Sequence, residues 1–116
     1  MQITIHTQGF SLTPGLRAHV EKRLAYALAN GDGSILRITV RLSDVNGPRG
    51  GDDKRCLIEA RLKHAPAVVS EDVEADLYVA IDRAAERAGR TLGRRLARQR
   101  AFAPAMPAAP EDALQP

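Results

Sequence analysis

The order in which two periodicities follow one another leaves this chain few ways to fold. Met1, Ile3 and Ile5 alternate with Gln2, Thr4 and His6, the period of a strand buried on one face. Thr13-Pro14 then reads as a helix N-cap followed by proline at the first helical position. Leu16, Val20, Leu24, Ala27 and Leu28 recur at helical spacing. Asn30-Gly31-Asp32-Gly33 closes that helix with residues suited to a left-handed cap and turn. Alternation returns over 35–43, where Leu36, Ile38, Val40 and Leu42 face one way and Arg37, Thr39 and Arg41 the other. Residues 44–53 are a loop on composition. A third strand spans 54–63, with Cys56, Ile58, Ala60 and Leu62 inward and Arg55, Leu57, Glu59 and Arg61 outward. His64-Ala65-Pro66 turns the chain into a short fourth strand over 67–71, whose flanking proline and acids suit a sheet edge. From Asp76, a plausible cap, to about Arg98, the residues Leu77, Ile81, Ala84, Ala85, Ala88, Leu92 and Leu96 form the apolar stripe of a long helix.

The order β-α-β-β-β-α predicts an α+β fold: a four-stranded, mostly antiparallel sheet with two helices packed on one face. The first two strands are joined through a helix, which makes them a parallel pair with a right-handed crossover. A chain of 116 residues supports one core without staples. The expected domain is 1–100, followed over 101–116 by an Ala/Pro-rich disordered tail holding four of the seven prolines. No apolar run approaches the roughly 20 residues of a membrane helix. The start MQITIHTQ lacks the basic flank and apolar stretch of a secretory signal, so the cytoplasm is the expected location. One cysteine, Cys56, excludes an internal disulfide and any multi-cysteine metal site.

Charge is distributed unevenly. The chain carries +3 overall, yet residues 83–100 hold seven arginines against one acid, Glu86. Arg83, Arg87, Arg90, Arg94 and Arg98 fall within a sector of about 80° on a helical wheel, well away from the core stripe. They should therefore point at solvent. Such a stripe is either a solvated face, which normally mixes signs, or a surface for a polyanion, and the single sign favours the polyanion. Arginine suits that role because its planar fork pairs phosphate oxygens bidentately. An in-plane membrane helix would need an opposite face rich in Leu and Phe, whereas this one is nearly half alanine and is used by the core. His19, Lys22, Arg23 and Tyr26 form a smaller cluster on the first helix, equally readable as ordinary surface or as part of the same interface. The outward sheet face has Arg37, Arg41, Arg55 and Arg61 but no aromatic pair, which argues against base stacking there.

Other constellations carry less. The loop 44–53 is rich in Asp and Gly, but it lacks the spacing of a calcium loop and the lysine of a phosphate loop. Cys56 has the parity of a buried small residue. His6, His19 and His64 have no ligand spacing, and no nucleophile–base pair can be nominated. No cofactor, metal, small-molecule substrate or catalytic residue is expected, and the chain reads as a non-enzyme.

The segment Asp76-Leu77-Tyr78-Val79-Ala80-Ile81-Asp82, opening a basic helix after a sheet, resembles the ribosome hibernation-promoting factor family, also called ribosome-associated inhibitor A or sigma-54 modulation proteins. The start Met1-Gln2-Ile3 and the Leu16 helix are similar too, so the resemblance covers about residues 1–100. It implies a fold like double-stranded-RNA-binding domains. It further implies docking on the small ribosomal subunit and rRNA as a translation inhibitor that stabilises idle ribosomes under stress. Arg83, Arg87, Arg90 and Arg94 match the family's phosphate-contacting helix by position, and Arg98 of the same stripe with Lys22 and Arg23 of the first-helix cluster complete the expected RNA-binding residues. The 46–56 stretch departs from familiar members, arginine replaces much of their lysine, and their C-terminal dimerisation domain is not expected here. The chain thus looks like a divergent short branch, monomeric in solution. The alternative is a module of the same fold that binds another structured RNA or a protein.

Overall fold

The computed structural model describes residues 2–44 and 53–102. The expected tail from 103 on, Met1, and the loop residues 45–52 lie outside the described residues. The elements run β1 (Ile3–Gln8), α1 (Pro14–Ala27), a 3-10 turn (Ala29–Ser34), β2 (Ile35–Asp44), β3 (Lys54–Leu62), β4 (Val68–Glu74) and α2 (Leu77–Phe102). The sheet order is β1-β2-β3-β4, with β1 parallel to β2 and the other pairs antiparallel. This is the expected α+β architecture, with both helices on one face.

Each element starts where its residues allow. Gly9, at φ 94°, turns the chain out of β1, and a Cβ there would stand 2.8 Å from the Asp44 carbonyl oxygen. The Thr13 hydroxyl accepts a hydrogen bond from the Leu16 amide at 3.1 Å and so caps α1. Asp76 Oδ1 accepts from the Tyr78 amide at 2.9 Å at the start of α2. The core is the inward side of the sheet (Ile38, Val40, Leu42, Cys56, Ile58, Ala60, Val68) against Leu16, Val20, Leu24 and Leu28 of α1 and its C-cap. From α2 it receives Ile81, Leu92 and four alanines, Ala80, Ala84, Ala85 and Ala88.

Four local expectations are corrected. Leu36 is 54% exposed, because β2 carries a bulge: Ile35 pairs with Leu62 but Arg37 with Arg61. Ile35 takes the buried place instead. Gly31 has φ −121°, so 30–33 is no left-handed cap. Its glycine is required by space, since a Cβ would lie 2.6 Å from Leu92 Cδ2. β4 is seven residues and continues to Glu74, past the short strand expected over 67–71. Finally, α2 continues to Phe102, beyond the expected end at Arg98.

The two helices meet at Gly89. A Cβ on Gly89 would come within 2.6 Å of the Ala27 carbonyl oxygen, a backbone atom that cannot swing aside, while Gly93 has open space around it. Gly89→Ala should therefore cost about 1–3 kcal/mol by overpacking. Gly93→Ala, one turn on in the same helix, should stabilise by roughly 1 kcal/mol. Urea melts of the two variants check this, and equal effects would mean that the helices do not approach so closely.

Candidate nucleic-acid interface

The arginines of α2 fall into two groups, which their sequence spacing does not separate. Arg83 and Arg87 lean over the edge strand. Arg83 Nη1 lies 3.2 Å from Glu74 Oε2, and Arg87 Nη2 lies 3.0 Å from Asp72 Oδ1. Arg87 also donates to the Glu71 carbonyl oxygen. Ser70, Asp72 and Glu74 share the inward parity of β4, and Ser70 Oγ donates to the Ala84 carbonyl at 2.8 Å. The inner face of β4 is thus a polar strip that grips α2. These acids correct the expectation that only Glu86 borders the stripe. Arg95, outside the stripe, donates to the Ala67 carbonyl at 3.0 Å, and Gln99 to that of His64 at 3.1 Å.

The second group faces outward. Arg90 reaches Glu86 at 3.5 Å, one turn back on the same helix, in a pair whose side chains are 59% and 64% exposed. Such a pair contributes at most a few tenths of a kcal/mol. Arg94 donates to Thr91 Oγ1 at 3.3 Å. Arg98 is exposed, and among the described residues neither it nor Arg94 makes an ion pair. Arg90, Arg94 and Arg98 are therefore the part of the stripe open to a ligand.

Helix α1 divides likewise. His19 Nε2 and Asp82 Oδ1 are 2.7 Å apart, and Arg23 Nε lies 3.2 Å from the same oxygen. The Tyr78 ring meets His19 edge to face, with centroids 4.8 Å apart. Six of the seven residues of the segment 76–82, which carries the family resemblance, thus have structural contacts. Asp76 caps, Leu77, Ala80 and Ile81 pack, and Tyr78 and Asp82 hold α1. Lys22 points away into solvent, and Tyr26, at the rim between the helices, is 80% exposed. Between the helices lies a groove of about 550 Å³, with Arg23, Tyr26 and Asn30 on the α1 side and Glu86, Gly89 and Arg90 on the α2 side. It exists because Ala27, Ala29 and Gly89 on its floor are small. Of the seven candidate residues, the structure brings Arg23 and Arg90 to one groove and continues the basic surface through Arg94 and Arg98. It commits Arg83 and Arg87 to β4 and leaves Lys22 apart.

Among the described residues no group of three His, Cys, Asp or Glu could hold a metal ion. The loop weighed as a calcium or phosphate cradle lies outside those residues, apart from its ends. At its base Lys54 Nζ stands 2.8 Å from the buried Asp53 and 3.3 Å from Asp44. The hydrogen bond to Asp53 raises the Lys54 pKa above its ordinary value.

This two-layer arrangement, a mixed four-stranded sheet with both helices on one face, defines the βαβββα class of domains. Within it the chain belongs to the sigma 54 modulation protein / S30EA ribosomal protein family, whose model matches residues 3–100. It is similar to the Protein Y N-terminal domain of Thermus thermophilus, with 31% identity and a TM-score of 0.68 over 82% of this chain and 99% of that one. It is similar in fold to a ribosomal subunit interface protein from Coxiella burnetii, at 20% identity and a TM-score of 0.70 over 84% of this chain and 99% of that one. A search of curated proteins gives no match. The family and the fold are those expected from the 76–82 segment and the element order.

Cys56 is fully buried, and burial, then the nearby Asp72 carboxylate, pushes its thiol up to about 12 from 9.0. At pH 8 the native protein should then hold about a thousandfold less thiolate than the unfolded chain. Iodoacetamide labelling at pH 8 should accordingly be slow in buffer and fast in urea. Because the raised pKa favours the protonated thiol in the fold, its contribution to stability is whole below pH 9.0 and lost as pH rises towards about 12. Rapid native labelling would overturn the buried assignment.

Proposed function

We propose that this protein is a ribosome-associated translation inhibitor. It acts in the cytoplasm, binding rRNA of the small subunit through the outer face of α2 and the adjoining groove and stabilising idle ribosomes under stress. The observation that carries the reading is the row Arg90, Arg94 and Arg98: exposed cations on one helix face, with Glu86 the one acid paired to them among the described residues. Membership of a family described by a ribosomal protein supports the ribosome as the source of the polyanion. The chemistry is ion pairing of guanidinium groups with phosphate, with release of condensed counterions and no bond made or broken. Arg83 and Arg87 hold the helix on the sheet and set where the outer row points.

The test is binding to ribosomes and to an rRNA fragment over a salt series. Wild type should show a slope of log K against log salt of a few units. Arg90→Gln with Arg94→Gln should lower that slope by roughly one unit per lost contact. Arg83→Gln with Arg87→Gln should chiefly lower the melting temperature. Co-sedimentation with small subunits on a sucrose gradient should follow the same order. If the outer pair leaves slope and sedimentation unchanged, the row is solvated surface and the reading falls. Retained binding to other structured RNA without ribosome association would favour a different RNA target.

A further inference from the structure

The face of the sheet that bears no helix treats its charges in the opposite way to α2. The register sets Arg37 directly opposite Arg61 on the two central strands, with Thr39 opposite Glu59 beside them and Arg41 opposite His6 and Leu57. Arg37, Arg41 and Arg61 are all exposed. Among the described residues none of the three makes an ion pair or a side-chain hydrogen bond. Among the described residues two acids of the strands lie on this face, Glu59 and Glu71. Glu71 is engaged by Arg55, which leaves Glu59 as the one carboxylate among three free guanidinium groups. Like charges directly opposite each other destabilise a sheet. The molecule relieves such a cost at Arg83 and Arg87 with the acids of β4, and here it does not. A small cleft of about 160 Å³ adjoins, with His6, Gln8, Arg41, Ser43 and Arg55 around it.

We propose that this open sheet face is a second phosphate-binding surface, seating the backbone of an RNA segment distinct from the one on α2. An anion bridging Arg37 and Arg61 turns their repulsion into two attractions, and each guanidinium can grip a phosphate with two parallel hydrogen bonds. The outward residues of the four strands include no Phe, Tyr or Trp, and the lone His6 imidazole on the edge strand makes no stacking platform, so the contact is to phosphate rather than to a run of stacked bases. Sheet and helices are layers about 10 Å thick, which puts the two cationic surfaces about 20 Å apart on opposite sides. One backbone cannot lie on both at once, and the domain becomes a bridge between two RNA segments. The inference rests on the proposed function only in taking RNA as the polyanion.

The experiment is a stoichiometric titration of the full chain with a short RNA duplex at low salt, read by sedimentation equilibrium, for wild type, R37Q/R61Q and R90Q/R94Q. Wild type should bind two duplexes and R37Q/R61Q one, with a shallower salt dependence. At low salt R37Q/R61Q should melt at or above the wild-type temperature, because a repulsive pair has been removed. A fall in melting temperature would give the arginines a structural role and overturn the proposal. So would a wild type that binds one duplex with R37Q/R61Q unchanged, an outcome that leaves the α2 reading standing. If R37Q/R61Q binds one duplex and R90Q/R94Q still binds two, the sheet surface stands and the α2 reading falls. A wild type that binds no RNA, or polyglutamate displacing the duplex at equal charge concentration, overturns the sheet surface as an RNA site.

Discussion

Everything on the helix side depends on how closely α2 can lie on the sheet and on α1. Ala80, Ala84, Ala85 and Ala88 are fully buried, and each presents one methyl group where a leucine would hold the layers apart. Gly89 does the same towards α1, where even a methyl would strike the Ala27 backbone. The close approach lets Ser70 reach a helix carbonyl and Asp72 and Glu74 reach two arginines. It also leaves the shallow groove between the helices, since small residues on both sides cannot fill it. A helix whose buried residues are mostly alanine, as those of α2 are, gains less from apolar burial per residue than a leucine-rich one. The polar grip from β4 supplies the position that bulk would otherwise fix.

That grip also explains the division of labour among the arginines. A helix crowded with cations repels itself unless acids or a ligand intervene. Asp72 is 10% exposed and Glu74 22% in their ion pairs, so these carboxylates are partly shielded and their pairs are worth more than free surface pairs. Arg90, Arg94 and Arg98 lie beyond their reach. The same helix therefore carries its own attachment on one side and its unspent charge on the other.

Much of this was legible in the chain. Inward and outward parity at Ile38, Val40, Cys56 and Ile58 follows from alternation, because a strand offers only two faces. The cap at Thr13 and the stripe of α2 follow from local chemistry. Leu36 misled because a bulge is a register event between two strands, invisible in either alone. Gly31 misled because a glycine can be kept for space as well as for backbone angle, and the space is defined by Leu92, which lies far away in sequence. The arginines are plain in the sequence, but their partners Asp72 and Glu74 read as flanking a short strand, whereas they occupy its inner face. Had β4 been extended by three residues, its alternation would have turned both acids towards α2. The 76–82 segment points to the right family although the roles visible in it, at Asp76, Leu77, Tyr78, Ala80, Ile81 and Asp82, are capping, packing and holding α1.

The parallel pairing of β1 with β2 makes the sheet unequal in how readily it opens. β2, β3 and β4 form an antiparallel meander, with α2 following directly and covering it. β1 joins from the far side of a helical crossover, as an edge with one neighbour and with Ile3 and Ile5 only half-buried. Closing that longer connection costs chain entropy that the meander does not meet. Local opening should therefore begin at β1, whose amide protons are expected to exchange fastest among the strands, while the meander and α2 persist. His6 and Arg41 are neighbours across that seam, so an opening there would separate them and break up the sheet-face charges at Arg41.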